Sequence, residues 1–252
     1  MTVKELTSLQ HPKVKHLVKL RESKDYRNEQ QRVALSGLKL IGELSPRVHI
    51  RTLFLEMGGT PPFQVQEGCD VFYVSPQILK KITGLEGGAQ IAAEIDMLPP
   101  TDLSFSKFLL ILDGISDPGN LGTLLRTACG LGWDGVFLTS QSTDPYNEKA
   151  IRAAKGATFS LPWKRGTWEE LKILLDQQKM TLFAADAKGK KVDGLSFTSP
   201  LALALGNEAH GLTPQLKEHA QLLSIPMMDR MESLNVAAAG AVLMYVIREG
   251  LK

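Results

Sequence analysis

Short apolar runs alternate with segments of helical periodicity in the second half of this chain. Residues 108–112 are apolar at every position, which is typical of a strand buried on both faces of a sheet. Four comparable runs follow it, at residues 135–139, 182–185, 201–205 and 222–225. Strands that alternate with helices predict an α/β fold with a mostly parallel sheet.

The first ninety residues have a different pattern. Residues 1–30 are predicted to be helical, because Val14, Leu17 and Val18 recur near a 3.6-residue period. Further strands are expected at residues 33–35, 50–55, 70–74 and 90–95, and helices at residues 38–44 and from Pro76 onward. The sequence therefore predicts a small α/β domain at residues 1–98, a proline-containing linker at 99–106 and a second domain at 107–252.

The composition is that of a soluble globular protein, with 43% hydrophobic and 22% charged residues in a chain of 252. The apolar run at residues 236–247 is too short for a membrane span, and the first seven residues lack the core of a signal peptide. Cys69 and Cys129 are too few for a disulfide framework or a zinc site. We therefore expect a cytoplasmic protein without a metal or a membrane partner.

Positive charge is concentrated near the N-terminus, although the net charge is only +2. Residues 1–50 hold ten Lys or Arg against five Asp or Glu. This excess makes Lys13 and Lys15 candidate contacts for phosphate. A solvated helix face explains the same charges equally well.

Polar residues follow three of the predicted strands. After the first strand, Asn120 is a candidate helix N-cap, and Gly122 and Arg126 lie four apart on one helix face. Gly122 has no side chain, so a substrate could approach the Arg126 guanidinium, whose fixed fork of donors suits a phosphate. Asn120 could also be a cap and nothing more.

The second and third polar stretches lie near the C-terminus. Residues 205–212 form a loop after a strand, where α/β proteins place ligand sites; Glu208 is its carboxylate, and His210 is expected to be structural or peripheral. In the third stretch, Pro226 ends a strand, and Ser233 is the expected N-cap of a helix at residues 234–249. The first turns of that helix are rich in Ala and Gly, which permits close approach of a ligand.

These three stretches together resemble a known family. Asn-x-Gly-x-x-x-Arg-x-Ala at 120–128, Gly-Asn-Glu-x-x-Gly-Leu at 206–212, and Ile-Pro-Met with Met-Glu-Ser-Leu-Asn-Val at 225–236 resemble the three signature motifs of the SpoU (TrmH-like) RNA ribose 2′-O-methyltransferases of the SPOUT class. Residues 6–15 resemble the opening of the small substrate-binding domain that many members carry. That family commonly has Asn where His11 stands, and Glu-Gly where this chain has Ser36-Gly37.

The resemblance implies a SPOUT-type parallel sheet with a C-terminal trefoil knot, a homodimer, and S-adenosyl-L-methionine as cofactor. It implies a structured RNA substrate, with ribosomal RNA favoured over transfer RNA. The catalytic residues implied by the motifs are Asn120, Arg126, Glu208, Ser233 and Asn235. The cofactor-binding residues implied are Leu205, Gly206, Asn207, Ile225, Met227, Ser233, Leu234 and Asn235.

RNA contacts are expected from Arg126, and from Arg152 and Lys155 in a segment that also resembles the family. Arg152 and Lys155 could instead be solvated helix charges. In the family the residue matching Arg126 has been proposed as proton acceptor; because an arginine side chain stays protonated in proteins, a grip on phosphate is an equally good role. An ordinary Rossmann-type methyltransferase and a catalytically silent RNA-binding relative are the alternatives, and the motif residues weigh against both.

Overall fold

Two separate β-sheets divide the chain. The computed structural model describes residues 3–228 and 233–251, and within those limits the chain forms two compact units. The first unit comprises Met1–Pro99 with Tyr146–Glu148, and the second comprises Pro100–Pro145 with Lys149–Lys252. In the part of the chain so described, no helix is long and apolar enough to cross a membrane.

The N-terminal unit contains a five-stranded mixed sheet in the order β1-β4-β3-β5-β2. Its strands are β1 (Val3–Leu6), β2 (Arg32–Ser36), β3 (Ile50–Glu56), β4 (Asp70–Val74) and β5 (Ile91–Asp96). Its helices are α1 (Pro12–Glu22), α2 (Lys24–Gln30), α3 (Leu38–Leu44) and α4 (Pro76–Thr83). Strand β5 runs antiparallel to both β2 and β3, whereas β1, β3 and β4 are parallel. The strands predicted in this unit are confirmed to within one residue at each end.

The prediction of a helix across residues 1–30 is wrong in two places. Residues Val3–Leu6 form β1, which pairs in parallel with β4. The remaining helical stretch is interrupted at Ser23, whose backbone is extended and whose hydroxyl accepts a hydrogen bond from the Tyr26 N–H at 3.2 Å. A polar four-residue strand is stabilised by its neighbour and leaves no helical or alternating signal of its own.

The C-terminal unit contains six strands in the order β11-β9-β10-β6-β7-β8, and every neighbouring pair is parallel. These strands are β6 (Phe108–Asp113), β7 (Gly135–Thr139), β8 (Trp163–Gly166), β9 (Thr181–Lys191), β10 (Leu201–Gly206) and β11 (Gln221–Ser224). The helices are α5 (Pro118–Gly130), α6 (Glu148–Ala154), α7 (Trp168–Gln178), α8 (Pro214–His219) and α9 (Val236–Glu249). The prediction of a parallel sheet is confirmed; β8, a short edge strand with two basic residues, was not predicted.

The centre of this sheet places two loops side by side. Strands β6 and β10 are neighbours, and β6 is buried at every position because helices cover both faces of the sheet. Their register sets Asp113, the last residue of β6, opposite Gly206, the last residue of β10. The loops that follow these two strands therefore leave the sheet at the same edge.

The helices that follow the first and third motif loops are capped by residues other than those expected. Helix α5 is capped by Asp117, whose Oδ1 accepts from the Asn120 N–H at 2.8 Å, so Asn120 is not the N-cap. Helix α9 is capped by Asn235, whose Oδ1 accepts from the N–H groups of Ala237 and Ala238, so Ser233 is not the N-cap. Residues 229–232, which include the Met-Glu pair of the third motif, lie outside the described residues.

Gly122 brings two helices together and does not admit a substrate as expected. It is buried, and a Cβ added there would overlap the carbonyl oxygen of Ala150 and lie 2.7 Å from the Cβ of Ala153. Helix α5 thus packs against α6 at this residue. Arg126 is exposed, although it lies one turn further along the same helix.

We predict that Gly122→Ala destabilises the protein by about 1–3 kcal/mol, because the added methyl group meets rigid backbone. Urea denaturation measures the change. Gly130→Ala is the matched control on the same helix, since a Cβ there meets nothing within 4 Å. The control should be neutral or more stable by about 0.5–1 kcal/mol. Equal midpoints for the Gly122→Ala protein and the wild type would contradict the packing argument.

Candidate functional site

The carboxylate of Glu208 joins the loops that follow β6 and β10. Its Oε2 accepts hydrogen bonds from the backbone N–H of Ser116 at 3.1 Å and from the Ser116 hydroxyl at 2.8 Å. Its Oε1 accepts from the Asn120 side-chain amide at 3.0 Å and from the Asp117 N–H at 3.3 Å. Glu208 therefore receives four donors from the loop before α5 and from its first turn, where the helix dipole also favours a negative charge.

These donors stabilise the ionised form of Glu208. Partial burial disfavours the ionised form, but the hydrogen bonds from Asn120, from its own backbone and from Ser116 outweigh it and lower the pKa of Glu208 to about 2. Glu208 is therefore a carboxylate throughout the physiological pH range. A group with so low a pKa is a poor proton acceptor near neutrality, so its geometry suits orienting Asn120.

A second hydrogen bond extends this network to the third motif. The Asn235 side-chain amide donates to Oδ1 of Asn120 at 3.0 Å. Asn120 thus accepts from Asn235 and donates to Glu208, which fixes the orientation of its amide group. One residue from each motif is joined in the chain Asn235–Asn120–Glu208. The sequence reasoning named all three residues and did not foresee the bonds between them.

Asn207 maintains the shape of the second loop. Its Nδ2 donates to the Gly114 carbonyl at 2.7 Å, and its Oδ1 accepts from the N–H groups of Ala209 and His210. Asn207 is one of the residues predicted to bind the cofactor, and its side chain is hydrogen-bonded to backbone groups of the protein. Gly206 is also constrained, because a Cβ there would overlap the backbone of Gly211.

A cavity of about 620 Å³ opens beside this network. All of the predicted cofactor-binding residues line it, namely Leu205, Gly206, Asn207, Ile225, Met227, Ser233, Leu234 and Asn235. Glu208 and His210 line it as well, and His210 is exposed. The volume and the mixture of apolar walls with backbone and amide groups fit a ligand of the size of S-adenosyl-L-methionine.

The other predicted residues lie outside this cavity. Arg126 is exposed on α5, and no described residue makes a hydrogen bond or ion pair with its guanidinium. Arg152 is half-buried near the end of α6, and Lys155 follows that helix with a left-handed backbone, at φ 50°. Lys13 and Lys15 lie on α1 in the N-terminal unit, and only Lys15 is fully exposed. Among the described residues, no group of three His, Cys, Asp or Glu side chains could hold a metal ion.

Arg165 is a further residue near the site that sequence reasoning missed. Arg165 lies on β8, and its guanidinium donates to four backbone carbonyls at the end of β7 and in the loop that follows, those of Thr139, Ser140, Ser142 and Thr143, at 2.7–3.2 Å. That loop in turn donates from the Thr143 N–H to the Ile115 carbonyl at 2.8 Å, beside Ser116. No signal in the sequence marks Arg165, because all of its partners are backbone groups.

The profile of the SpoU rRNA Methylase family matches residues 107–245, which is more than half of the chain. The chain belongs to the SpoU family. A second profile, described as the MRM3-like substrate binding domain, matches residues 11–93. The family predicted from the three motifs is therefore confirmed.

Relatives of this SpoU chain resemble it along most of its length. The 23S rRNA (guanosine(2553)-2′-O)-methyltransferase RlmP of Bacillus subtilis (strain 168) is 31% identical over 260 residues, 98% of this chain and 100% of that protein. The 23S rRNA (guanosine-2′-O-)-methyltransferase RlmB of Haemophilus influenzae is 31% identical over 198 residues, 73% of this chain and 80% of that protein. The crystal structure of an AdoMet-bound rRNA methyltransferase from Sinorhizobium meliloti matches with a TM-score of 0.87 and 29% identity over 98% of both chains.

We predict that Glu208→Gln destabilises the protein at neutral pH by about 1 kcal/mol, a value reduced for solvent exposure. Glutamine would direct an NH₂ group at donors that now face an oxygen. A lowered pKa gives stability that is present above the ordinary pKa of 4.5 and lost as the pH falls toward about 2. The difference in melting temperature between variant and wild type should therefore shrink below pH 4.5.

Glu218→Gln is the control for this measurement, because Glu218 is exposed on α8 and takes no part in the network. It should match the wild type at every pH. A Glu208→Gln deficit that stayed constant down to pH 2 would contradict the assignment of an ionised Glu208.

Proposed function

We propose that this protein transfers the methyl group of S-adenosyl-L-methionine to a ribose 2′-hydroxyl of ribosomal RNA. The observation that carries the proposal is the Asn235–Asn120–Glu208 network at the edge of a cavity lined by the second and third motifs. The proposal is supported by the family and by relatives that are named 23S rRNA 2′-O-methyltransferases. The motif residues Asn120, Arg126, Glu208, Ser233 and Asn235 are all present, which argues against a catalytically silent relative.

The cavity residues would hold the cofactor in two ways. Leu205, Ile225 and Leu234 offer apolar walls and backbone groups for the adenine, and Ser233 and Asn235 offer side-chain partners near the network. When bound, the cofactor supplies an electrophilic methyl group on its sulfonium. The protein then has to align the ribose hydroxyl and remove its proton.

The RNA would be held by residues outside the cavity. Arg126 is exposed and has no partner among the described residues, so its fork of donors is available to a phosphate next to the reacting ribose. Asn120 is held by Glu208 and Asn235 and would orient the ribose. Arg152 and Lys155 extend the positive charge at the end of α6.

Four further features belong to this proposal. Residues 1–98 would form the RNA substrate-binding domain and 99–106 the linker, with 107–252 as the catalytic domain; the two units and the two family profiles support this division. The C-terminal segment would form a trefoil knot, as the SPOUT resemblance implies. Exposed Val242 and Tyr245 on α9 favour a homodimer that buries them. The site of action would be the cytoplasm.

Methyl-labelled S-adenosyl-L-methionine tests the function with separate pools of unmodified ribosomal and transfer RNA, followed by digestion to nucleosides. We expect the label in a 2′-O-methylnucleoside from ribosomal RNA. Label only in the transfer RNA pool would show that transfer RNA is the substrate. Label on a base would overturn the assignment of the ribose as methyl acceptor. Cofactor binding without any transfer would point to another RNA or to ribosomal particles as the substrate, and no cofactor binding at all would favour the silent RNA-binding relative.

Two substitutions of Asn235 should separate its role as the N-cap of α9 from its role as a hydrogen-bond donor to Asn120. Asn235→Asp keeps an acceptor for the α9 N–H groups, so stability should stay within about 0.5 kcal/mol. It loses the donor to Asn120, and methyl transfer should fall about tenfold, the equivalent of about 1.4 kcal/mol. Asn235→Ala, which loses both bonds, should also lose about 1 kcal/mol of stability in urea denaturation. Normal cofactor binding and turnover in the alanine variant would contradict the assignment of Asn235.

Arg126→Lys keeps the positive charge at this position and removes the planar set of N–H donors of the guanidinium. If Arg126 grips a phosphate with two parallel N–H bonds, turnover on ribosomal RNA should fall about 10²-fold through misplacement of the ribose. Cofactor binding should be unchanged, because Arg126 does not line the cavity. Near-full turnover in the lysine variant would show that charge alone suffices.

A further inference from the structure

The N-terminal unit has a cavity of its own, of about 380 Å³, beside the start of α1 and strands β2 and β5. Six residues line it: Pro12, Lys13, His16, Gln30, Arg32 and Glu94. This volume falls at the lower end of the range of small-ligand sites, roughly 300–1,000 Å³. Its lining combines one buried carboxylate with several basic groups, so the balance of charge decides what it can hold.

Glu94 provides a fixed negative charge at this cavity. Its side chain is 7% exposed; Oε1 lies 3.0 Å from His16 Nε2, and Oε2 accepts from the Thr52 hydroxyl at 2.8 Å. The other ring nitrogen of His16 lies 2.8 Å from the Tyr26 hydroxyl, which fixes the ring. Burial disfavours ionisation of Glu94, but the hydrogen bonds from His16 and Thr52 and the charges of His16 and Lys13 hold its pKa below the ordinary value.

The basic side chains around Glu94 carry more positive charge than its carboxylate can neutralise. Lys13 Nζ lies 3.9 Å from Oε2 and Arg32 Nε lies 3.8 Å from Oε1, both beyond hydrogen-bonding distance. Arg32 also reaches Asp96 at 2.7 Å, and Asp96 is shared with Arg51 at 3.0 Å. Three permanent cations thus face two carboxylates, before any charge on a histidine is counted.

Unused donors remain on two of these cations. Lys13 Nζ has one long contact, to the Thr52 hydroxyl at 3.4 Å, so most of its donor capacity is uncommitted among the described residues. The Arg32 guanidinium has five N–H groups; within the described part of the chain its hydrogen bonds and ion pairs involve Nε and Nη1 only. An ammonium and a guanidinium at the rim of one cavity match a phosphate group.

We propose that this cavity binds a phosphodiester group of the RNA substrate, with Lys13 and Arg32 as donors and Glu94 as the buried anion that organises them. The proposal rests on the proposed function for the identity of the ligand. Lys15, on the same helix, does not line the cavity, so of these two lysines the proposal gives only Lys13 a contact with phosphate in the cavity. A free phosphate would satisfy the same donors, and the experiment has to separate the two sources.

The test is the salt dependence of binding to unmethylated large-subunit ribosomal RNA. Each lost phosphate contact should reduce the slope of log K against log salt concentration by about 0.7–0.9. We expect Lys13→Gln and Arg32→Gln each to lose about one contact, and the double variant about two. Lys13→Arg and Arg32→Lys should retain the wild-type slope, which distinguishes lost charge from misfolding. Unchanged slopes in both glutamine variants would overturn the proposal.

Lys39→Gln is the matched control. It removes a positive charge from the same unit, but Lys39 is 90% exposed on α3, faces Glu43 and does not line the cavity. Its slope should equal that of the wild type; an equal loss there would mean a diffuse effect of net charge and would overturn the proposal. Binding of inorganic phosphate that needs Lys13 and Arg32, with an unchanged RNA slope, would also overturn it.

The methyl-transfer assay keeps this inference separate from the proposed function. If wild-type protein methylates ribosomal RNA while the cavity variants keep their slopes, the function stands and the cavity proposal fails. If wild-type protein transfers no methyl group while the variants lose their slopes, the cavity binds RNA and the proposed function fails.

Discussion

Four hydrogen bonds to the Glu208 carboxylate hold together the loops that form the C-terminal site. The donors to Glu208 come from residues 88 to 92 positions earlier in the chain. They can reach it only because the parallel register of β6 and β10 releases both loops at the same edge of the sheet. The pairing of these two central strands therefore specifies the position of the site.

Some polar side chains of the site are hydrogen-bonded within the protein, whereas others are exposed and can bind a ligand. Asn207, Glu208 and Asn120 have their side-chain polar atoms committed to partners within the protein. Arg126, by contrast, is exposed and has no partner in the described part of the chain. A rigid network costs no reorganisation when a ligand arrives, whereas an unpaired guanidinium loses little by exchanging water for phosphate. This division suits an enzyme that orients a ribose within a larger RNA.

The strands of the C-terminal sheet could be predicted from the sequence where burial on both faces leaves a continuous apolar run. Strands β6, β7 and β10 are of this kind. The polar edge strands β1 and β8 were missed, because backbone pairing with a neighbour stabilises them and their side chains carry no pattern. The helix starts were misplaced because two polar residues compete at each: Asp117 with Asn120, and Ser233 with Asn235. A sequence shows which residues could cap, and the backbone decides which one does.

The need to accept and to donate a hydrogen bond at the same time explains why amide side chains occupy two positions of the network, those of Asn120 and Asn235. Serine or aspartate would cap α9 as well as Asn235 does, so helix stability alone gives no reason for an amide there. The Asn235 amide accepts from the helix N–H groups and donates to Asn120 at the same time, which an ionised aspartate could not do because it has no donor. Asn120 has the same need, because it accepts from Asn235 and donates to Glu208. The bonds therefore run in one direction, from the start of α9 to the carboxylate, and each polarises the next. The network ends at the Glu208 carboxylate, and the hydrogen bond from Asn120 is one of those that lower the pKa of this group below its ordinary value.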